Sequence, residues 1–413
     1  MTAVHPAVLA AVIGLSACSI DAKSEDFECA TTAECSADRT CEMGYCVLIG
    51  ATTDGAVVDA RGGDLEGTVR VTDSAGDGKE PSLVADAAGF AIAWRDNRDG
   101  NNEVYFVRVD ANGQLIGAEL RVTNDAANSD QVSLTSTGTE YGVAWKDTRD
   151  GNDEIYFARI SSAGALIGTV LRVTNDLGRQ NRPSMVWTGS QYAITWVDNR
   201  DGTNEIYVAF VDSSGGKIGT DVRVTTTGSS TEPSASFDGT NIGLAWTDNR
   251  DGNSEIYFAS LDATTGVASG EVAVTADAAR SRQSSLAAVG GAYAVAWNED
   301  RDGSEEIYFA ALDLAGTKNG NDVAITAALG KAQRPCLGGD TALVLAWQDE
   351  RDGNKEIYGA DVDSAGVVAV ETRITEEPAR SERCSAATFG SLQGIAWSED
   401  RDGNDEIYLH IVP

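Results

Sequence analysis

Hydrophobic and polar positions alternate in short blocks along most of this chain, and no stretch keeps a helical period. Phe90-Ala91-Ile92-Ala93-Trp94 is an apolar run of strand formers, followed by Asp96, Asn97, Asp99, Gly100 and Asn101, residues that favour tight turns. Glu103 to Val109 is a second run, so the pair reads as a β-hairpin. A turn at Asp110–Gly113 leads to a third strand at Glu119–Thr123, and Gln131-Val132-Ser133-Leu134 opens a fourth before the next hairpin.

The block recurs. The pattern W-x-[DE]-x-R-D-G-x-x-E-[IV]-Y starts at Trp94, Trp145, Trp196, Trp246, Trp297, Trp347 and Trp397, at steps of 51, 51, 50, 51, 50 and 50 residues. Four short strands per period of about 50 residues predict an all-β fold, a seven-bladed β-propeller of four-stranded blades. Strands A to D run outward from the axis. Strand A is expected to start at pairs such as Pro81-Ser82, strand B to end at the tryptophan, strand C to carry Glu-Ile-Tyr and strand D to be Arg-Val-Thr. After the seventh strand C no strand D precedes Pro413, whereas an extra copy, Gly67 to Thr72, stands before the first strand A. That copy is expected to complete blade 7 and close the ring, removing an exposed sheet edge.

The hairpin Asn97-Arg98-Asp99-Gly100-Asn101-Asn102-Glu103-Val104-Tyr105 resembles the DRDGNxEIY turn of TolB-like β-propeller repeats. The resemblance covers about a dozen residues of each repeat. It departs from that family in lacking a Ser-Pro-Asp-Gly turn between strands A and B, and in ending strand B on Trp rather than Phe. It implies the fold and carries no partner with it. Trp94, Arg98, Asp99, Gly100, Glu103 and Tyr105, with their copies, are expected to be structural, the arginines forming charge-assisted hydrogen bonds with carboxylates. Calcium is the rival at this turn, but Arg98 stands where a third ligand belongs.

The formal charge of −33 (31 basic against 64 acidic residues) argues against nucleic acid. Residues 7–17 are apolar and end in Leu15-Ser16-Ala17-Cys18, which resembles a bacterial lipoprotein signal, although no Lys or Arg precedes the run. The expected organisation is a signal peptide at 1–17, a tether at 18–28 lipidated on Cys18, a small disulfide-rich module at 29–46, a flexible linker at 47–66 and the propeller at 67–413. Cys29, Cys35, Cys41 and Cys46 allow three pairings, with zinc as the rival use. Cys336 and Cys384 fall on the inner strands of neighbouring blades, on faces that can meet, so a disulfide between them is expected.

Apart from His5 in the leader, the sole histidine is His410, on the last strand, which excludes mechanisms that need two histidines. No phosphate loop or dinucleotide fingerprint is present, and no catalytic residue, metal or cofactor is assigned. A carboxylate present in every blade is architecture rather than a catalytic pair. Trp187 lies outside the repeat and is either packing or a sugar platform. The blades differ most in the loops from strand D to strand A, where Arg179, Arg182, Arg280, Arg282, Arg334 and Arg383 are expected to gather on one face as an anion-binding surface.

The function these readings imply is a non-enzymatic lipoprotein of the outer membrane or cell surface. It would touch the membrane only through its lipid, with a monomeric propeller as a binding scaffold for envelope protein or glycan. The alternatives are a carboxylate-based polysaccharide hydrolase or lyase with its site in the central channel, and a structural subunit of an envelope complex. If Cys18 carries the anchor, the wild-type protein partitions with membranes after export and Cys18→Ala moves to the soluble fraction. Identical partitioning of the two would refute the tether.

Overall fold

Each Trp-to-Tyr segment folds as an antiparallel hairpin because its two apolar runs are separated by a polar turn that only glycine completes. Gly100 and its copies Gly151, Gly202, Gly252, Gly303, Gly353 and Gly403 hold φ between 90 and 102°, a left-handed conformation that costs other residues energy. The Gly100 N–H closes the turn onto the Asn97 carbonyl at 2.9 Å. The computed structural model describes residues 39–42, 45–48, 65 and 67–412, apart from 328–329, 341, 367 and 377.

The described residues from 67 onward build seven four-stranded antiparallel sheets, each in the order A-B-C-D. In blade 1 these are Gly78–Asp86, Gly89–Asp96, Glu103–Val109 and Leu120–Arg121. In blade 3 they are Gln180–Trp187, Gln191–Asp198, Glu205–Asp212 and Lys217–Arg223. Trp94 lies opposite Tyr105 in the register, and all seven repeat tryptophans are fully buried. A tryptophan of this size removes enough apolar surface to be worth about 4–6 kcal/mol as an upper bound. The blades bury these faces against one another: Trp145 packs with Ala91, Ala93, Val104 and Phe106 of blade 1.

Blade 7 is completed from the other end of the ring. Its strands Ser381–Phe389, Leu392–Glu399 and Glu406–Val412 are followed in the sheet by Thr68–Arg70, with Thr68 opposite His410 and Arg70 opposite Tyr408. Val69 and Val71 enter the shared core, and the buried His410 ring meets the Thr68 hydroxyl at 3.1 Å. His410 is therefore part of the closure.

The inner strands are joined by a ring of serines. The Oγ of Ser82, Ser133, Ser184, Ser234, Ser285 and Ser385 each accepts a backbone N–H from the next blade, from Leu134, Met185, Ala235, Leu286, Leu337 and Leu83, at 2.9–3.0 Å. Between blades 6 and 7 the serine position is Cys336, which is disulfide-bonded to Cys384 with a Cα separation of 5.9 Å. A covalent bond thus stands at the one junction that lacks the serine contact. Closing a loop of this size stabilises by about 2–4 kcal/mol.

Strand boundaries differ from the sequence reading: strand B runs two residues past its tryptophan, to Asp96 in blade 1 and Asp198 in blade 3, and strand D stops at the arginine, Arg121 or Arg223, short of the threonine. Strand A begins before the Pro-Ser pair, at Gly78 in blade 1 and Gln180 in blade 3, and the proline sits at a bulge inside it. Proline has no N–H for the ladder, and a bulge is where a strand tolerates that. A separate small unit contains a hairpin of Arg39–Glu42 with Tyr45–Leu48, in which Cys41 lies opposite Cys46. Cys18, Cys29 and Cys35, the tether and most of the linker, and the side chains of Cys41 and Cys46, lie outside the described residues.

Deleting residues 67–73 strips two buried valines and leaves the buried Glu406 without Arg70 and Thr72. The expected cost is about 5 kcal/mol or more, seen as a lower urea midpoint with aggregation on gel filtration. Deleting residues 19–60 leaves the midpoint where it was. Equal midpoints for the two deletions would refute closure by this strand.

Candidate functional site

The repeated charges are consumed in holding the hairpins. Asp96 is fully buried and accepts the Trp94 indole N–H at 3.3 Å, the Arg98 backbone N–H at 2.8 Å and the Arg98 guanidinium at 2.5 Å. Arg98 lies over the Tyr105 ring at 4.3 Å, and Trp94 stacks on that ring at 5.9 Å between centroids. The Tyr105 hydroxyl donates to Asp99, and burial together with that carboxylate pushes the phenol well up, so it stays a donor. The buried Glu103 is held by Thr123, Arg121 and Asn101. The arginine-over-tyrosine stack recurs in all seven blades at 4.2–4.5 Å.

What the repeat does not dictate is a ring of seven residues at the axis, one per blade, at the bulge of strand A. These are Glu80, Gln131, Arg182, Glu232, Gln283, Arg334 and Arg383. All seven have φ between 53 and 60°, the left-handed region in which non-glycine residues are strained by about 1 kcal/mol or more. They border two adjoining cavities of about 400 and 250 Å³, the larger lined also by Pro81, Val132, Pro335 and Cys384. Since all seven blades contribute, the space is the mouth of the axial channel.

Three of the six arginines expected on this face reach the mouth: Arg182, Arg334 and Arg383. Arg280 and Arg282 turn instead to Asp300 and Glu305 of their own blade, at 2.8 and 2.6 Å, and Arg179 is exposed outside the cavity lining. Within the mouth Arg182 pairs with Glu232 and Arg383 with Glu80, both at 2.5 Å. The Arg334 guanidinium has no ion pair or hydrogen bond among the described residues. Its side chain meets channel water yet is ringed by protein. That enclosure, with the like charges of Arg383 and Arg182, holds its pKa below the ordinary arginine value, while Glu382 and Glu232 act the other way. Three arginines against two glutamates leave the mouth at +1 in a chain of −33.

The ring was only partly legible in the sequence. The arginines stand out as basic residues of the D-to-A loops, and Glu80 and Glu232 as acidic ones there, but Gln131 and Gln283 gave no signal as loop chemistry. Their shared feature, a position 14 residues before the repeat tryptophan (13 for Arg334), becomes visible only when the repeats are aligned. Trp187, at the far end of strand A in blade 3, packs on Tyr192 at 4.7 Å and lies away from this mouth.

The hairpin carboxylates set the acid stability. Burial alone raises Asp96, Asp147, Asp198 and Asp248, but the paired arginine and the tryptophan N–H more than offset it, so each sits below its ordinary 3.8. A lowered folded pKa stabilises above the unfolded value and is lost as pH falls through the folded one. Glu119, Asp130, Glu255 and Glu356 are shifted upward by burial and act in the opposite sense. With Glu140, Asp212, Asp262, Asp300, Glu382 and Asp400 also lowered, the lowered carboxylates outnumber the raised ones, so the urea midpoint should be level near neutrality and fall below about pH 4. Asp198→Asn should cost about 1.5–3 kcal/mol at neutral pH and make the acid limb shallower. An unchanged acid limb in that variant would remove the aspartates from this account.

No protein-family model matches this chain, and no curated protein matches it. Among solved structures it is similar to an oligogalacturonate lyase from Vibrio parahaemolyticus, at 10% identity over 85% of this chain and 95% of that one, with a TM-score of 0.54. A prolyl endopeptidase is similar at 14% identity with a TM-score of 0.51, over 78% of this chain but only 45% of that one, so the chain matches less than half of that protein. TolB from Acinetobacter baumannii is also a structural neighbour, at 16% identity over 80% of this chain and 78% of that one, with a TM-score of 0.40. At these identities the likeness concerns the fold alone: the chain is a seven-bladed β-propeller.

Proposed function

We propose that this protein is a non-enzymatic lipoprotein of the outer membrane or cell surface, and that its propeller is a scaffold binding an anionic glycan or a carboxylate-bearing envelope protein at the axial mouth. One observation supports this most: the strained, blade-specific residues of the ring place three arginines around one cavity, whereas the repeated carboxylates are bound into the hairpins. Strain kept at one place in every blade is a reason to look for function there. The leader ending at Cys18 supports export and anchoring.

A second reading has its own support. Glu80 and Glu232 are acidic in two blades only, as a catalytic pair of a polysaccharide hydrolase or lyase would be. The oligogalacturonate lyase with a similar fold adds the substrate class. Against it, both carboxylates are already engaged: Glu80 by Arg383 and the Gln131 N–H, Glu232 by Arg182, Thr247 and the Gln283 N–H.

The test is a panel of acidic glycans and envelope proteins presented to the full-length protein. Binding should weaken steeply with added salt and drop at least tenfold when Arg182, Arg334 and Arg383 are all changed to Gln. Salt-insensitive binding that survives the triple change would refute the axial mouth. Release of shortened or unsaturated sugar, abolished by Glu80→Gln, would favour the enzyme.

A further inference from the structure

The ring follows a rule that breaks at defined places. In four blades the left-handed residue donates its backbone N–H to the side-chain oxygen of its counterpart in the preceding blade. Gln131 donates to Glu80 at 3.3 Å, Arg182 to Gln131 at 2.8 Å, Gln283 to Glu232 at 3.0 Å and Arg334 to Gln283 at 3.2 Å. Glutamate and glutamine can accept such a bond; arginine carries five donors and no acceptor. The N–H groups of Glu232, Arg383 and Glu80 follow Arg182, Arg334 and Arg383 in the ring, so no such oxygen faces them.

These three junctions are not equivalent. Arg182 and Glu232 pair across theirs, and Arg383 and Glu80 pair across the junction from blade 7 to 1 in the same way, both at 2.5 Å. The junction from blade 6 to 7 has no such pair: there stands Arg334, whose guanidinium has no partner among the described residues. The Arg383 backbone N–H, held in the left-handed conformation, and the unpaired Arg334 guanidinium thus stand at one side of the mouth, beside the Arg383 guanidinium and its partner Glu80. Backbone N–H groups presented in this way and a planar guanidinium are the donors that a carboxylate takes in preference.

We infer that a ligand carboxylate seats at the junction of blades 6 and 7, on the Arg334 guanidinium and the backbone N–H of Arg383, with the Arg383 guanidinium beside it. There it supplies the acceptor oxygens that the ring carries as Glu or Gln elsewhere. This rests on the reading that the axial mouth binds an anion, and it narrows that reading to a uronate sugar. The larger cavity, about 400 Å³, is walled by Glu, Gln, Arg and Pro with Val132 and Cys384, and no aromatic ring reaches it. Such a wall suits a hydroxylated acid rather than an aromatic or fatty one. The volume lies at the small end of ligand sites, enough for a terminal uronate with the rest of the chain outside.

The test uses the full-length protein with its disulfide intact and, by calorimetry, three probes: trimannuronate, its methyl ester and inorganic phosphate. Trimannuronate binds; the ester and phosphate bind at least tenfold more weakly. Arg334→Gln is the decisive variant. Gln131 and Gln283 already occupy this backbone conformation at φ 54 and 56°, so the variant folds, and its amide oxygen offers the Arg383 N–H the side-chain acceptor that arginine cannot. Its melting temperature should match or exceed the wild type while trimannuronate affinity falls at least tenfold; Arg179→Gln, outside the ring, leaves affinity unchanged. Full affinity in Arg334→Gln, or equal binding of the ester or of phosphate, overturns the seat. If affinity is instead lost in Arg182→Gln, the mouth still binds an anion and only this seat is wrong. If no acidic probe binds in a salt-dependent way, both fall.

Discussion

Everything in this propeller depends on a carboxylate buried at the base of each hairpin. Asp96, Asp147, Asp198, Asp248, Glu299, Asp349 and Glu399 are at most 2% exposed, and each is taken by the indole N–H of its tryptophan and by its arginine. A buried ion without such partners would cost several kcal/mol, so the motif is kept or lost as a unit. The tryptophan fills the space between blades, the arginine covers the tyrosine, and the tyrosine returns to the next aspartate. One network therefore fixes the turn, the strand pairing and the blade interface together.

The ring then needs closing, since a sheet edge left open would invite pairing with another chain. Three devices close it together. They are the strand from Thr68 to Arg70, the serine contacts between inner strands, and the disulfide at the junction where cysteine stands in place of serine. That bridge joins the two strands that carry Arg334 and Arg383, so the covalent clamp and the arginines of the mouth share one junction.

Sevenfold repetition also separates structure from recognition. A residue that recurs in every blade is held by the same partners each time. The residues at the bulge share a backbone conformation while their side chains vary, Glu, Gln, Arg, Glu, Gln, Arg, Arg around the axis. The fold imposes the strained backbone, and each blade is free to fill it differently. That freedom makes the mouth asymmetric in charge although the scaffold is nearly symmetric.

The repeat by itself determined the strand number, the hairpin that runs from Trp94 to Tyr105 and the completion of blade 7 by the residues around Val69. These follow from local periodicity and turn chemistry, and periodicity survives in one dimension. It also placed Cys336 and Cys384 on facing strands, because side-chain direction alternates along a strand. The bulge at Pro81 and its copies escaped it: proline before a strand and proline inside a bulged strand look alike in sequence. Nor could it say that Arg182, Arg334 and Arg383 reach the axis while Arg280 and Arg282 turn to carboxylates of their own blade. Arg280 and Arg282 lie two positions apart and Arg334 and Arg383 about fifty, yet it is the distant pair that shares a cavity. Only closure of the ring brings equivalent positions of different blades to one axis, and so the tertiary structure alone decided which charges meet.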